Sequence, residues 1–190
     1  VEEAPAPGIT AEQRAAIGRR CARACEKLRY RGAGTFEFLY QDGEFYFLEM
    51  NTRIQVEHPV TEFVTGVDLV QEQLRVAAGR PLSVEVNPNW PVGHAIECRI
   101  SGEDPMNGFF PSSGTIRALE VPCGPGVRWD GGIVEHFEVG LHYDPLLGKL
   151  IAHAPTATSN LQLLRSSLSV SMFSVLQTPP SIRPMSTCSE

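Results

Sequence analysis

The sequence predicts a mixed α+β chain that changes character near residues 80 to 90. Three observations carry this: two stretches with apolar residues at helical spacing, an aromatic-rich strand pair around Asp42-Gly43, and a run of short strand candidates after Pro88. In the first helical stretch Thr10 can act as N-cap, with Gln13 three residues on completing a capping box. Ile17, Cys21, Ala24 and Leu28 then recur on one stripe, while Arg19, Arg20, Arg23 and Lys27 fall mainly outside it and read as a solvated face.

The strand pair runs from Gly34 to Tyr40 and from Glu44 to Asn51. Loop length decides where its side chains point. A two-residue Asp42-Gly43 loop puts Glu37 and Glu49 on opposite faces. A three-residue loop, with Gly43 in the left-handed region, makes them diagonal neighbours on one face. We prefer the three-residue reading, because Phe36, Phe38, Tyr40, Tyr46, Leu48 and Met50 then form one apolar face.

A second helix is expected over Thr61 to Ala78, with Phe63, Val67, Val70, Leu74 and Ala77 as its stripe, Gly79 and Pro81 as its stop, and Gly66 kinking or dividing it. Beyond Pro88 the strand candidates are His94 to Ile100, Gly114 to Glu120, Gly126 to Trp129 and Lys149 to Ala154, separated by Gly and Pro turns. The last stretch differs. Thr156 to Glu190 holds three charged residues and nine serines, a loop-like composition, although Leu161, Leu164, Leu168, Met172 and Val175 also fit a helical stripe.

Composition narrows the function classes. A formal charge of -6 argues against a phosphate-backbone binder, so no nucleic-acid partner is expected. No apolar run approaches the roughly 20 residues of a bilayer span, and no basic-then-apolar leader opens the sequence, so no membrane partner is expected and a cytoplasmic or processed organellar location is. The five cysteines contain no Cys-x-x-Cys pair, and the five histidines no His-x-x-x-His pattern. Neither a disulfide scaffold nor a zinc site is indicated, and Cys21 and Cys25, one turn apart, read as core packing.

The densest polar constellation is Glu49-Met50-Asn51-Thr52-Arg53-Ile54-Gln55-Val56-Glu57. In an extended chain every second residue faces one way, aligning Glu49, Asn51, Arg53, Gln55 and Glu57, with Glu37 joining across the hairpin. A solvated strand face and a binding cleft both fit this spacing. The chemistry the set suits is nonetheless specific. Glu37 and Glu49, beside Asn51, could hold a magnesium ion, which binds through one or two carboxylates together with substrate phosphates. Arg53 offers a planar fork for a small oxyanion, and Glu57 near it could serve as general base. Together these are parts for phosphoryl transfer from a nucleotide to a bound oxyanion.

These residues also carry a family resemblance. Arg31 to Phe38, Phe47 to Glu62, Gly93 to Ile100, Glu103-Asp104-Pro105 and Tyr143 to Ile151 together resemble the biotin carboxylases, which have an ATP-grasp fold. The resemblance covers about residues 1 to 155, and its 14-residue match from Glu49 to Glu62 is highly specific. It implies the C-terminal part of an ATP-grasp domain over residues 1–84, an incomplete biotin carboxylase C-terminal domain over 85–155, and an atypical tail over 156–190. That tail is expected to be frame-shifted or disordered. The chain as a whole is expected to be a piece of a longer protein, lacking the Gly-rich lid and phosphate-binding lysines of the family and therefore inactive alone.

By the same resemblance, ATP phosphorylates bicarbonate to carboxyphosphate, and the carboxyl group passes to biotin on a carrier protein. Glu37, Glu49 and Asn51 are implied to hold Mg2+ or Mn2+, Arg53, Gln55 and the backbone of Val56 to hold bicarbonate, and Glu57 to take its proton. Arg99 is implied to stabilise the biotin oxyanion and Leu39 to contact adenine. From the residues alone, Glu97 and Arg99 read only as a surface ion pair. Implied partners are the biotin carboxyl carrier protein, carboxyltransferase subunits and a second copy in a homodimer. The final acceptor is implied to be acetyl-CoA, in fatty acid synthesis, with pyruvate, propionyl-CoA or methylcrotonyl-CoA carboxylases as alternatives. A non-enzymatic alternative is a dimerisation module to which Arg128 contributes.

Overall fold

The structure is a computed structural model that describes residues 1–85, 87–169 and 173–177. Its elements are β1 (Glu2–Ala4), α1 (Ala11–Leu28), β2 (Thr35–Gln41), β3 (Glu44–Asn51), α2 (His58–Thr65), α3 (Leu69–Ala77), β4 (His94–Ser101), β5 (Glu103–Asp104), β6 (Phe110–Pro111), β7 (Gly114–Leu119), β8 (Val127–Gly131), β9 (Glu138–Val139), β10 (Leu146–Ala154), α4 (Ala157–Ser169) and β11 (Phe173–Gln177). They divide into two compact units, one spanning Ala4–Val92 and the other running from Gly93 onward together with Val1–Glu3. The division expected at 84/85 falls in the irregular stretch that follows α3.

In the first unit α1 begins with the expected capping box: the Gln13 N–H donates to Thr10 Oγ1 at 3.2 Å and the Thr10 N–H donates to Gln13 Oε1 at 2.9 Å. Ile17, Cys21 and Ala24 are half-buried, but Leu28 at the end of the expected stripe is 69% exposed. The single helix expected over 61–78 is two. Gly66, at φ 70°, closes α2 in a left-handed conformation that costs glycine nothing. Asp68 then caps α3 by accepting from the Gln71 N–H at 2.7 Å.

The expected apolar stripe of this segment is also corrected. Val70 and Leu74 face outward, and Glu72 is the buried residue of α3. Its carboxylate accepts from the Ser83 hydroxyl and, at 3.0 Å, from the Ser83 N–H. Those two bonds hold the Glu72 carboxyl below the usual range against the opposing effect of burial. A helical stripe can therefore point its carboxylate inward when a loop returns donors to it, which periodicity alone cannot reveal.

The second unit is built on a four-stranded sheet in the order β1-β4-β10-β8. β10 runs antiparallel to both β4 and β8, placing Ala152 opposite Ile96 and Lys149 opposite both Arg99 and Asp130. Ile96, Leu150 and Ala152 form an apolar face on which Leu164 of α4 packs, flanked by Cys98, Trp129 and Leu163. Alternation sends Glu97, Arg99, Lys149, Asp130 and Arg128 to the other face. A smaller sheet, β11-β7-β9, contributes Ile116 and Val139 to a second cluster with Ile133 and Leu147.

Within the stretch expected to be an atypical tail, α4 packs on the larger sheet and β11 pairs with β7. Asn160 is fully buried, and its Nδ2 donates to the carbonyl oxygens of His94 and, at 3.0 Å, Ala152. That requirement sets the helix rotation. Asn160, Leu164 and Ser167 face inward, whereas Leu161 and Leu168 of the expected stripe are exposed. Val175 lies in β11, and Met172 and Cys188 lie outside the described residues. Cys21, Cys25, Cys98 and Cys123 are free thiols. Among the described residues no helix is long and apolar enough to cross a membrane.

Asn160→Ala removes the donor that two buried carbonyls share, so it is expected to lower stability by about 2–4 kcal/mol. Leu161→Ala, on the exposed side of the same helix, should cost less than about 0.5 kcal/mol. Urea unfolding of the two variants, followed by tryptophan fluorescence, checks both values. Equal, small losses would mean that α4 is not docked through Asn160.

Candidate active site

The hairpin reaches the expected arrangement of carboxylates by a different device. Gln41 pairs with Glu44, so the loop has two residues, and both Asp42 (φ 53°) and Gly43 (φ 87°) take the positive φ of a type I′ turn. A straight ladder from that turn would pair Glu37 with Leu48 and set Glu49 opposite Phe36, on the other face. The register instead shifts between Phe38↔Phe47 and Glu37↔Glu49, leaving Leu48 as the extra residue of a β-bulge. Glu37 and Glu49 thus become direct cross-strand partners rather than diagonal neighbours.

The apolar face changes accordingly. Phe36, Phe38, Tyr40 and Met50 are joined by Phe45 and Phe47, not by Tyr46 and Leu48. Ring contacts run along it from Phe36–Phe47 at 6.3 Å through Phe38–Phe47 at 5.8 Å to Tyr40–Phe45 at 4.9 Å. On the carboxylate face, Leu39 and Tyr46 pair next to Glu37 and are 60% and 55% exposed. This face therefore grades from a charged end to an apolar end near the turn.

Like charges directly opposite one another destabilise a strand pair. Asn51 stands between them: its Nδ2 donates to Glu37 Oε1 at 2.7 Å and to Glu49 Oε1 at 3.1 Å. Gln55 Nε2 donates to the same Glu37 oxygen at 2.5 Å. One amide NH2 thus bridges two carboxylate oxygens; a cation taking its place would offset their repulsion, with the amide turned to present Oδ1. Two carboxylates and an amide fit the oxygen-rich but incomplete donor set that magnesium accepts. Among the described residues no group of three or more His, Cys, Asp or Glu gathers as a metal cluster.

Past Asn51 the extended-chain alignment of every second residue is corrected. β3 ends there, Thr52 and Arg53 form a bend, and Val56 and Glu57 form a turn. Arg53 is exposed and its Nη1 donates to the Ile54 carbonyl at 3.1 Å. Gln55 reaches Glu37 because the chain bends back. Its own carbonyl accepts from the His58 N–H at 3.2 Å. Val56 and Glu57 are half-buried, and Glu57 occupies the N-cap position of α2 without capping it through its side chain. Glu37, Leu39, Glu49, Asn51, Arg53, Gln55, Val56 and Glu57 all belong to the first unit, and Arg99 belongs to the second.

Arg99 lies on β4 with its Nε 2.9 Å from Glu2 Oε1 of β1. Sequence reasoning missed Glu2, which opens a segment that reads as a Pro-rich linker. The available signal was the Glu2-Glu3 doublet ahead of Ala4-Pro5, since a strand there sends its two carboxylates to opposite faces.

Fold and site define the C-terminal part of an ATP-grasp domain followed by a biotin carboxylase C-terminal domain. The family model described as "Carbamoyl-phosphate synthase L chain, ATP binding domain" matches residues 1–102, and "Biotin carboxylase C-terminal domain" matches residues 97–180. The second match runs past residue 155, where the residue-by-residue resemblance fades. The chain belongs to the biotin carboxylase family. It is 54% identical over 178 residues to the biotin carboxylase of Haemophilus influenzae, covering 94% of this chain and 40% of that protein. It is 47% identical over 169 residues to a pyruvate carboxylase subunit of Methanothermobacter thermautotrophicus, covering 89% of this chain and 34% of that one. The biotin carboxylase domain dimer of Hydrogenobacter thermophilus 2-oxoglutarate carboxylase, in complex with MgADP, ADP and bicarbonate, superposes with a TM-score of 0.85. That match is 44% identical and covers 88% of this chain and 37% of the other. The chain thus spans about two fifths or less of the length of these relatives.

If the bulge sets the register, a Glu37→Cys/Glu49→Cys pair should close into a disulfide on mild oxidation, because its Cα atoms sit at a cross-strand spacing. Phe36→Cys/Glu49→Cys, which a straight ladder would pair, should stay reduced. Peptide mapping by mass spectrometry distinguishes the two, and the opposite pattern would mean that the ladder is straight.

Proposed function

We propose that the protein carrying this chain carboxylates biotin on a carrier protein, using bicarbonate and ATP by way of carboxyphosphate. One observation carries the reading: the Glu37–Glu49 pair, gathered by Asn51, with an oxyanion-matched arginine and a further carboxylate following within eight residues of Glu49. The family relationship supports it, as do the relatives named biotin carboxylase.

In this reading Glu37, Glu49 and Asn51 hold Mg2+, or Mn2+ in its place, and the ion supplies charge neutralisation for the nucleotide phosphates. Leu39, at the apolar end of the same face, meets the adenine ring. Arg53 and Gln55 hold bicarbonate, with the Val56 N–H completing the cradle. Arg53 fixes the oxyanion as a planar fork, matching guanidinium to carboxylate geometry. Glu57, one residue from that backbone, accepts the bicarbonate proton and so raises the nucleophilicity of the oxygen that attacks the γ-phosphorus. Carboxyphosphate then gives up its carboxyl group as the carbon–oxygen bond to phosphate breaks; the released phosphate takes the ureido N–H proton, and the nitrogen bonds to the carboxyl carbon. Arg99 faces the negative charge that develops on the ureido oxygen during transfer.

Further expected partners are the biotin carboxyl carrier protein, carboxyltransferase subunits and a second copy of the chain. Among acceptors we carry acetyl-CoA, the substrate of the carboxylation that opens fatty acid synthesis.

The test is bicarbonate-dependent ATP cleavage with free biotin in the full-length protein. Glu57→Gln is expected to lower kcat about 10²- to 10⁴-fold with little change in KM for ATP, as loss of a general base does. Arg53→Ala should act chiefly on bicarbonate, raising its KM. Wild-type kinetics in both variants would overturn the assignment.

A further inference from the structure

Arg99 is not left to solvent to order. We propose that Glu2 is a positioning residue for Arg99, holding the guanidinium from the adjacent strand so that it meets the biotin oxyanion preorganised. The proposal rests on the reading of Arg99 given above. β1 lies beside β4 at the edge of the sheet, and Glu2 Oε1 sits 2.9 Å from Arg99 Nε. Glu3, pointing to the other face, brings Oε2 within 3.2 Å of His94 Nε2 on the same strand. A three-residue strand is thereby tied to β4 through a side chain on each face.

Charged side chains line this face of the sheet, and Glu2 is the one that β1 brings to Arg99. Arg99 on β4, Lys149 on β10 and Asp130 on β8 lie in one row, and Glu2 on the neighbouring β1 reaches Arg99 from the edge. Asp130 serves the far end, since Lys149 Nζ is 3.8 Å from its Oδ2 and Arg128 donates to both of its oxygens at 2.7 Å. Arg99 and Lys149 are therefore adjacent cations; Glu97 shares their face two residues along β4, and Glu2 flanks Arg99 on the side away from Lys149.

Geometry gives Glu2 a second effect. Nε lies on one edge of the guanidinium, and Nη1 with Nη2 forms another. Engagement at Nε restrains the plane of the guanidinium from its Nε edge. An arginine otherwise samples many rotamers, and a misplacement of about 1 Å at a reacting centre can cost about 10²-fold in rate.

Two variants of the full-length protein test this. Glu2→Ala is expected to lower kcat for free-biotin carboxylation at least tenfold, leaving KM for ATP and bicarbonate within about twofold. Glu2→Gln, whose amide oxygen can still accept from Nε–H, should recover most of that loss. In parallel, the Arg99 Nε–H resonance should exchange with solvent at least tenfold faster in Glu2→Ala than in the parent. Unchanged kcat and exchange in Glu2→Ala, or equal loss of kcat in the Ala and Gln variants, overturns the proposal. Wild-type kcat in Arg99→Ala, with exchange still accelerated in Glu2→Ala, overturns instead the reading of Arg99 on which it stands.

Discussion

Two carboxylates set opposite each other on adjacent strands repel, and the first unit is organised around keeping them there. Glu37 and Glu49 face one another only because Leu48 is bulged out of β3; the type I′ turn at Asp42-Gly43 would otherwise send Glu49 to the aromatic face. The rings of Phe36, Phe38, Phe45 and Phe47 hold that other face in register. Asn51 and Gln55 supply donors to the carboxylate oxygens. Each of these features supports a concentrated negative site, on which the proposed divalent-cation role rests.

The second unit applies the same economy to an arginine. Its sheet separates an apolar face, covered by α4, from a charged one on which the neighbouring cations Arg99 and Lys149 lie between Glu2 and Asp130. Asn160 fixes α4 by bonding two strand carbonyls, and Glu2 engages Arg99 from the sheet edge. Polar groups at both places orient their neighbours. A carboxylate or amide placed beside a long side chain reduces the freedom it must lose when substrate arrives, which is the physical meaning of preorganisation.

Much of this was legible in the sequence, for physical reasons that differ from residue to residue. Helix α1 was readable because Thr10 and Gln13 form a local device whose partners lie three residues apart. Gly66 was readable as a break because a left-handed φ leaves few alternatives to glycine. That Glu37 and Glu49 share a face was anticipated, but through a three-residue loop. The bulge at Leu48 escaped notice because nothing in the residue pattern marks which side chain a ladder will skip. Glu72 and Asn160 were unreadable for a related reason: each is buried by partners, Ser83 and the His94 and Ala152 carbonyls, that are distant in sequence or lie in the backbone. The chemistry of Arg53 and Glu57 as oxyanion fork and general base was readable from residue type, although a solvated strand face fits the same row; the role of Arg99 came only from family likeness, since beside Glu97 it reads as a surface ion pair.

The central claim is that one amide and two carboxylates of the hairpin form a divalent-cation site. The most direct measurement is a Mn2+ titration of the 190-residue chain followed by the electron paramagnetic resonance signal of the free ion. The account predicts one Mn2+ held per chain, with affinity reduced at least tenfold in Glu49→Gln and again in Asn51→Ala, while circular dichroism shows both variants folded. Binding that is equally strong in all three proteins would contradict it, and would place the ion elsewhere on this acidic chain.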